Sequence, residues 1–564
     1  MMPGNFFRRL CAVCFIFHSV SLFSLSFFDE GSPEELAAAL EQAMSDEQAL
    51  AQTFMLGWVG AEPSPLIMDW INRRNIGGVK IFGWNTDDTQ RLARTVGALQ
   101  QASLAGPYNI PLLMATDQEG GWIRHVKGST SETPGNMAIG ASGYPRDAYL
   151  AGYYIGKELA VLGINMNFAP TVDLFTNRDS VLIGPRAFGS DPVKAGILGA
   201  AFVKGQLAAG VIPTAKHFPG HGDTDLDSHG ILPRIDISFD TLWERELVPY
   251  RMLSNEGIPA IMSGHLAFPN TASASAPASL SSWFLKDVLR DKIGFKGVVI
   301  TDDLMMNGAS MWAGGVSRAA RQALLAGNDI IMLSQTPSLF DSVWTSLAAS
   351  MKDDEEFRRC VRVAARRVLE MKLRYMRGEG AAPYIPDPLR VEAELPDPDG
   401  SAFFLNLAAR SVTIVKNQRL PGVQQAGRQT EVAAYTLPLK PENAGQVLLT
   451  GQFADFFRAG RAAFPSAVSL WYSSGAATEL LQYARNADTI IFCLFDASGL
   501  RLLRSLEPLG KRVIVLSVLS PVYIESVPWI NAAVAVYSYA PESFAAGFSA
   551  ITGRIDARGR LPYE

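Results

Sequence analysis

Short apolar runs recur through the first part of the chain, and each is followed by a segment with helical spacing. Eight such runs stand at 54–58, 77–82, 111–116, 164–169, 211–216, 258–263, 297–301 and 329–334. Continuously apolar runs are expected where a parallel sheet is buried on both faces. Eight strand–helix units over roughly 330 residues predict a (β/α)8 barrel with insertions. An open doubly wound sheet is the alternative, because periodicity alone cannot close a barrel.

Polar residues stand at the ends of these predicted strands. They end or follow the third to the eighth run, and in chain order they are Asp117, Asp173, Lys216 with His217, His265, Asp302 and Ser334. Barrel enzymes keep their catalytic groups at the carboxyl ends of the strands. One polar strand end would mean little, but six in register predict a functional site at this face.

A proline-rich stretch, "AAPYIPDPLRVEAELPDPDG" at 381–400, predicts an exposed linker. Beyond it, apolar runs alternate with helical segments and predict a second α/β domain; they stand at 411–417, 445–451, 488–495, 511–518 and 532–538. This part has no GxGxxG or Walker sequence that would indicate nucleotide binding. The predicted organisation is a barrel at 29–380, a linker at 381–400 and a smaller α/β domain at 401–564.

The N-terminal residues follow a different pattern. Arg8 and Arg9 precede "LCAVCFIFHSVSLFSLSFF", an apolar run at 10–28. Basic residues before such a run are typical of an export signal, or of a single membrane anchor if the segment is not cleaved. We therefore expect residues 1–28 to be one of these and the protein to be exported.

Composition narrows the class of protein. The chain is 48% hydrophobic and 19% charged, with a formal net charge of −5, which is typical of a soluble globular protein. No dense cluster of Lys and Arg indicates a nucleic-acid partner. The four cysteines predict neither a disulfide framework nor a paired CxxC zinc site. We expect a monomer.

The stretch "KHFPGHGDTDLDSH", at 216–229, contains three of the six histidines in the chain. His217 and His221 have the i, i+4 spacing of ligands on a helix, but Pro219 and Gly220 between them oppose a helix. A metal site in an irregular loop and a polar loop that only bonds to backbone groups both remain alternatives.

Asp227 and His229 suggest proton transfer instead. In an extended loop residues i and i+2 point the same way, so the carboxylate can fix the tautomer of the imidazole and favour its charged form. Such a histidine can protonate a leaving group and later accept a proton from water. In "VVITDDLMM", Asp302 and Asp303 end the seventh strand, where one could act as a nucleophile while the other bonds to the scaffold.

Four motifs, in this order along the chain, resemble glycoside hydrolase family 3 in its β-N-acetylglucosaminidase branch. They are "TDQEGG" (116–121), "GPRAFG" (184–189), "KHFPGHGDTDLDSH" and "GVVITDDLMM" (297–306). "AARSVTIVKN" (408–417) and the terminal "GRLPYE" resemble the domain that follows the barrel in two-domain members. The resemblance implies a (β/α)8 barrel followed by an α/β sandwich, and an enzyme that needs no metal or organic cofactor.

The resemblance also implies residue roles. Asp302 would be the catalytic nucleophile, His229 the general acid/base and Asp227 its partner. The implied substrate-binding residues are Asp117, Arg186, Lys216 and His217. The expected reaction is double displacement with retained configuration. It would release terminal β-linked N-acetylglucosamine from chitin or cell-wall fragments, as in peptidoglycan turnover.

Two departures from the family pattern stand near the site. Trp122 replaces the arginine of the usual "DQEGGRV", which removes a polar contact near the sugar and offers a stacking face instead. Thr301 replaces a common serine before the nucleophile.

Four alternatives to a β-N-acetylglucosaminidase remain. Two are enzymes on the same scaffold, a β-glucosidase and a β-N-acetylglucosaminide phosphorylase. The others are a metal-dependent hydrolase using His217, His221 and His229, and a catalytically inactive carbohydrate-binding protein.

Overall fold

The computed structural model describes residues 25–226, 230–419, 435–473 and 477–563. Within these ranges, eight parallel strands close into a barrel and a separate six-stranded mixed sheet forms a second domain. The predicted (β/α)8 barrel followed by a smaller α/β domain is confirmed. The open-sheet alternative is wrong, because the first barrel strand pairs with both the second strand and the last.

The strands of the barrel region are, in chain order, β1 (Phe54–Gly57), β2 (Gly78–Ile81), β3 (Leu113–Thr116), β4 (Gln118–Gly120), β5 (Ile123–Arg124), β6 (Met166–Asn167), β7 (Ile212–Phe218), β8 (Ala260–Ser263), β9 (Val298–Asp303) and β10 (Ile330–Leu333). β4 and β5 form an antiparallel hairpin. The other strands form the barrel in the order β1-β10-β9-β8-β7-β6-β3-β2. All eight predicted apolar runs therefore overlap barrel strands.

Helices surround the barrel. They are α1 (Pro33–Ala43), α2 (Asp46–Gln52), α3 (Pro65–Arg74), α4 (Thr89–Leu104), α5 (Asn136–Ser142), α6 (Pro145–Val161), α7 (Pro192–Ala208), α8 (Phe239–Glu244), α9 (Leu247–Asn255), α10 (Asn307–Ala313), α11 (Val316–Ala326), α12 (Ser342–Asp353) and α13 (Glu355–Tyr375), with a π-helix at Trp283–Lys292. Their first turns are often capped by a serine or aspartate. Ser32, for example, accepts the backbone N–H of Glu35 at the start of α1.

The barrel interior follows from the alternation of side chains along each strand. Its apolar filling includes Met55, Leu113, Ala115, Met166, Ile212, Met262, Val298, Ile300 and Met332. Met371 and Met376, at the end of α13, belong to the same cluster and close the end of the barrel where the strands begin. The opposite end is therefore the one that polar side chains can occupy.

The second domain begins after α14 (Pro388–Glu394) and α15 (Pro398–Ser411). Its strands are β11 (Thr413–Asn417), β12 (Val447–Gly451), β13 (Val468–Trp471), β14 (Thr489–Leu494), β15 (Arg512–Ser517) and β16 (Ala532–Ala535), and its helices are α16 (Ala454–Ala463), α17 (Ala477–Arg485), α18 (Ala497–Arg504) and α19 (Pro541–Thr552). The sheet has the order β11-β16-β15-β14-β12-β13, and β11 runs antiparallel to β16. Leu448 and Leu449 enter hydrophobic clusters on opposite faces, so both faces are covered.

The segment at 381–400 differs from the exposed linker that the prolines predict. It contains α14, whose Val391 is buried, and α14 packs against α4 and α6 of the barrel. Arg410 of α15 makes a bidentate ion pair with Asp147 of α6, with distances of 3.1 and 2.6 Å. The segment that connects the two domains is therefore packed on the barrel and held to it by an ion pair.

The predicted signal or anchor lies mainly at 1–24, outside the described residues. Residues 25–28 belong to the folded barrel, although the sequence pattern groups them with the apolar run. Phe27 is buried with Leu36, Leu40 and Leu369, and its N–H donates to the carbonyl of Tyr108 at 2.8 Å. In the part of the chain that the structure describes, no helix has the length and apolar character needed to cross a membrane.

Candidate active site

Side chains alternate between the inner and outer faces of each barrel strand, and this alternation also determines which polar side chains lie at the mouth of the barrel. Ile300 of β9 belongs to the interior cluster, so Asp302, two residues later, points the same way. Ala115 of β3 precedes Asp117 with the same spacing. On β7, Lys216 lies four residues after Ile212, which belongs to the interior cluster, so its side chain also faces inward. These side chains therefore converge above the apolar filling, at the carboxyl ends of the strands.

The two adjacent aspartates of β9 have different surroundings. The Asp303 carboxylate accepts the backbone N–H groups of Met305 and Ser334, both at 3.0 Å. Asp302 Oδ1 accepts the backbone N–H of Asp303 at 2.8 Å. Asp303 is thus the residue that bonds to the scaffold, and Asp302 is the carboxylate at the barrel mouth.

The surroundings of Asp302 favour its ionised form. Burial acts to raise the pKa of Asp302, but the His217 and His265 rings, the N–H of Asp303 and the Lys216 ammonium outweigh it. The net pKa of Asp302 is lowered from its ordinary value. Asp302 is therefore a carboxylate at neutral pH, which is the form that a nucleophile requires.

Asp117 is held by two lysines. Its carboxylate oxygens lie 2.5 Å from Lys216 Nζ and 2.7 Å from Lys80 Nζ, and His125 Nδ1 is 3.5 Å away. Burial acts to raise the pKa of Asp117, but Lys216, Lys80 and His125 hold it well below its usual value. The Asp117 carboxylate is therefore fixed in both charge and orientation.

Glu119 forms a second ion-pair group beside the first. Arg186 binds it in bidentate fashion, with Nε–Oε2 at 2.9 Å and Nη2–Oε1 at 2.7 Å, and Lys216 Nζ is 2.6 Å from Oε1. These cations overcome the effect of burial and lower the pKa of Glu119 to about 2. The pKa of Arg186 is raised in turn, since Glu119 outweighs its burial. Lys216 therefore bridges Asp117 and Glu119.

His217 is oriented by Asp173. Its Nδ1 donates to Asp173 Oδ2 at 2.7 Å, and its backbone N–H and that of His221 donate to Oδ1. Despite burial, these contacts lower the pKa of Asp173 to about 2. His217 Nε2 lies 3.4 Å from Arg186 Nη2. An ionised carboxylate thus fixes the imidazole ring on the Arg186 side of the mouth.

Two other histidines near the mouth are neutral at neutral pH. Burial is the main cause in both, and the second cause is a nearby basic side chain: Lys80 for His125 and His217 for His221. The pKa of each is lowered to about 4. Neither histidine can therefore serve as a cation near pH 7.

Asp227 and His229 lie outside the described residues, so their pairing and their role as acid/base stay predictions. The preceding part of their loop is anchored, because Asp223 Oδ2 is 2.5 Å from Arg245 Nη2. His221 lies at the start of the same loop and is buried beside His217, with ring centroids 5.7 Å apart. The loop that contains Asp227 and His229 thus begins at the barrel mouth.

The predicted site residues that the structure describes come together at this one mouth: Asp117, Arg186, Lys216, His217 and Asp302. Lys80, Glu119 and His125 also lie at the mouth, although the strand-end pattern does not predict them, and Asp173 is predicted only as a strand end. Glu119 stands two residues after Asp117, the spacing at which side chains of an extended segment share a face. That spacing was the available signal for Glu119.

The β4–β5 hairpin, which carries Glu119, also contacts the second domain. Trp122 lies at its turn and, with Thr133, Ser538 and Tyr539, lines a cavity of about 90 Å³. The Ser538 hydroxyl donates to the carbonyl of Thr133 at 3.2 Å. The Thr133 hydroxyl in turn accepts the N–H of Gly121 at 3.0 Å. Trp122, at the turn of the hairpin, therefore lines a cavity that it shares with residues of the second domain.

Metal binding was one interpretation of the histidine-rich stretch. Over the described ranges, which omit 227–229, no three His, Cys, Asp or Glu side chains are grouped as they would be around a metal ion. His217 Nδ1 is bonded to Asp173, and the guanidinium of Arg186 lies beside Nε2. A positively charged neighbour at that nitrogen disfavours a cation there.

A closed parallel barrel with an ionised aspartate at the end of its seventh strand, among charged hydrogen-bonding groups, has the arrangement of a (β/α)8-barrel enzyme site. The family model "Glycosyl hydrolase family 3 N terminal domain" matches residues 48–371, more than half of the chain. The chain therefore belongs to glycosyl hydrolase family 3.

Named relatives and a solved structure are similar to it. Beta-hexosaminidase A of Pseudoalteromonas piscicida is 38% identical over 286 residues, which cover 48% of this chain and 47% of that protein, so the chain spans about half of its length. Beta-hexosaminidase of Tolumonas auensis is 37% identical over 282 residues, covering 49% of this chain and 81% of that one. The structure of a glycoside hydrolase family 3 beta-N-acetylglucosaminidase from Paenibacillus sp. str. FPU-7 has a TM-score of 0.79 at 27% identity, covering 93% of this chain and 99% of that chain.

Proposed function

We propose that this protein is a retaining β-N-acetylglucosaminidase that releases terminal, non-reducing β-linked N-acetylglucosamine from chitin or cell-wall fragments. The observation that carries the proposal is Asp302, an ionised carboxylate at the mouth of a family 3 barrel, beside a neighbour that is bonded to the scaffold. The relatives named beta-hexosaminidase and the similar beta-N-acetylglucosaminidase structure support N-acetylglucosamine as the sugar.

The proposed reaction has two displacement steps. Asp302 attacks the anomeric carbon and forms a glycosyl ester, while His229 protonates the departing glycosidic oxygen. Water then attacks the same carbon, His229 removes its proton, and the Asp302 carboxylate is released. Asp227 would orient the imidazole and stabilise its charged form. General acid–base assistance of this kind is typically worth about 10²–10⁴ in rate.

The ion pairs of the mouth would orient the sugar before it reacts. In the proposal, Asp117 accepts hydrogen bonds from sugar hydroxyls, while Lys216 and Arg186 donate to sugar oxygens. Because Lys80 and Glu119 already hold these groups, little reorganisation is needed when the substrate binds. Fixed dipoles and charges that need no reorganisation are the most effective electrostatic stabilisers of a transition state.

The test is a panel of nitrophenyl glycosides and N-acetylglucosamine oligosaccharides, assayed with the wild-type protein and with Asp302→Ala. The wild type should prefer N-acetylglucosaminides over glucosides, and Asp302→Ala should lose nearly all activity on every substrate. Adding phosphate separates hydrolysis from phosphorolysis through the product formed, and a strong chelator tests the metal alternative. Binding without turnover of any glycoside would contradict the proposal.

The acid/base assignment has its own test. His229→Ala should lose about 10²–10⁴ in kcat/KM on poor leaving groups and less on activated aryl glycosides, because only poor leaving groups need protonation. Asp227→Asn should behave similarly but more mildly. Asp225→Asn, a change in the same loop at an exposed aspartate, is the matched control and should leave the rates unchanged. Equal losses on good and poor leaving groups would refute the role of His229.

A further inference from the structure

Trp84 is held rigidly in the turn Gly83–Asn85 that follows β2. Its ring stacks on that of Phe82, with centroids 4.5 Å apart and planes at 10°. The indole N–H donates to the carbonyl of Trp58 at 2.8 Å. Asn85 ties the same turn to the loop after β1, since its amide donates to the carbonyls of Trp58 and Gly60 and its oxygen accepts the N–H of Phe82. Both the turn and the ring are fixed.

The stacked rings of Phe82 and Trp84 are connected to the candidate active site by direct contacts. Lys80 Nζ lies 4.4 Å from the centroid of the Phe82 ring, and the His125 ring centroid lies 5.8 Å from it. The same Lys80 Nζ binds Asp117 at 2.7 Å. A continuous row of contacts thus leads from the carboxylate proposed to hold a sugar, through Lys80 and Phe82, to Trp84 at the rim.

Trp84 is 51% exposed. Because Phe82 covers one face of the indole, the opposite face is the one in contact with water. A single exposed aromatic residue is ordinary on a protein surface. Trp84 differs because it combines a fixed ring, a satisfied N–H and a position at the carboxyl ends of the strands, where barrel enzymes bind their substrates.

We propose that Trp84 is a binding platform for a second hexopyranose ring, adjacent to the one held near Asp117. This inference rests on the proposed function. The flat face of a pyranose presents C–H groups, which are attracted to the electron-rich face of an aromatic ring. Because the indole N–H is already bonded to the protein, recognition is by ring stacking and not by a hydrogen bond to a particular hydroxyl. The preferred substrates are therefore oligosaccharides of at least two rings.

The experiment compares ligands of one ring with substrates of two and three rings. For Trp84→Ala, kcat/KM on N,N′-diacetylchitobiose and on the trisaccharide should fall about tenfold. The inhibition constant of free N-acetylglucosamine, which needs only the first position, should stay within about twofold of the wild-type value. Trp84→Phe should retain most of the activity on oligosaccharides, because it keeps an aromatic face.

The matched control is Trp471→Ala in the second domain. Trp471 is 56% exposed and packs on Phe457 with ring centroids 4.8 Å apart, so its loss removes a similar aromatic pair far from the barrel mouth. It should leave both measurements unchanged, and thermal unfolding should show that Trp84→Ala is folded. Unchanged oligosaccharide kinetics in Trp84→Ala, or an equal loss for free N-acetylglucosamine, would overturn the platform. A wild-type protein that cleaves no N-acetylglucosamine oligosaccharide would instead overturn the proposed function, and the platform with it.

Discussion

Lys372 is a buried lysine on α13, at the end of the barrel opposite the candidate active site. Its Nζ donates one hydrogen bond, of 3.0 Å, to Oε1 of Gln52. Burial lowers the pKa of Lys372 from 10.5 to about 7. The variant Lys372→Met keeps an unbranched side chain of similar length and removes the amine. It therefore isolates the cost of burying this group.

Proton binding by Lys372 determines whether the stability of the protein rises or falls with pH. Below pH 7 Lys372 is protonated in both the folded and the unfolded state, and the full cost of burying its charge opposes folding. Between pH 7 and 10.5 the unfolded chain binds more protons, so stability rises by about 1.4 kcal/mol per pH unit. Over this whole pH range the free energy of unfolding rises by at most about 4–5 kcal/mol. The stability of Lys372→Met does not have this pH dependence. Loss of the hydrogen bond to Gln52 lowers its free energy of unfolding by about 1–3 kcal/mol at every pH.

The assay is urea or thermal unfolding of both proteins at pH 6 and pH 9. The stability of Lys372→Met relative to the wild type should decrease by about 2–3 kcal/mol from the lower to the higher pH. Lys352→Met, at an exposed lysine of α12, is the control and should show no such change. Activity should be retained, because Lys372 is far from the mouth. A stability difference that is the same at both pH values would refute the reasoning.

Two further predictions concern ion pairs. Glu119→Gln should raise the inhibition constant of N-acetylglucosamine at least about tenfold and should lower the Tm. The reason is that Lys216 and Arg186 would remain buried and charged without their carboxylate partner. An unchanged affinity for N-acetylglucosamine, measured by calorimetry, would contradict this. Arg410→Met should destabilise the protein by about 1–3 kcal/mol, because it leaves the buried Asp147 carboxylate without its ion-pair partner on α15. Its kcat should be retained, and an unchanged Tm would count against a stabilising role for the pair.

The barrel could be predicted because its strands are buried on both faces and therefore read as continuous apolar runs. β13 was missed for the opposite reason: it is an edge strand whose Val468 and Trp471 are exposed. The segment at 381–400 was predicted as a linker because of its prolines. Pro388, however, occupies the first turn of α14, where no backbone N–H is needed, and Asp387 caps that helix. Proline content therefore did not exclude a helix.

The strand-end residues of the site could be found because the register of a barrel places them together. Lys80 was missed although it carried a signal: it is a charged residue inside an apolar run, and a buried charge requires a partner. His125 gave no signal of spacing, since it lies beyond the hairpin and reaches Asp117 only through the fold. Contacts of this kind depend on loop conformation, which residue patterns do not determine.

In the proposed reaction, the charge arrangement of the mouth would keep the Asp302 carboxylate ionised and free to react. Lys80 is bonded to Asp117, Arg186 to Glu119, and Lys216 to both. Over the described residues, none of these cations lies within ion-pair distance of Asp302. Of these cations, Lys216 lowers the pKa of Asp302 through space, after the larger effects of the His217 and His265 rings. In the proposed reaction this leaves the carboxylate oxygens open to the anomeric carbon. A direct ion pair would also ionise Asp302, but it would have to break before the anomeric carbon could approach.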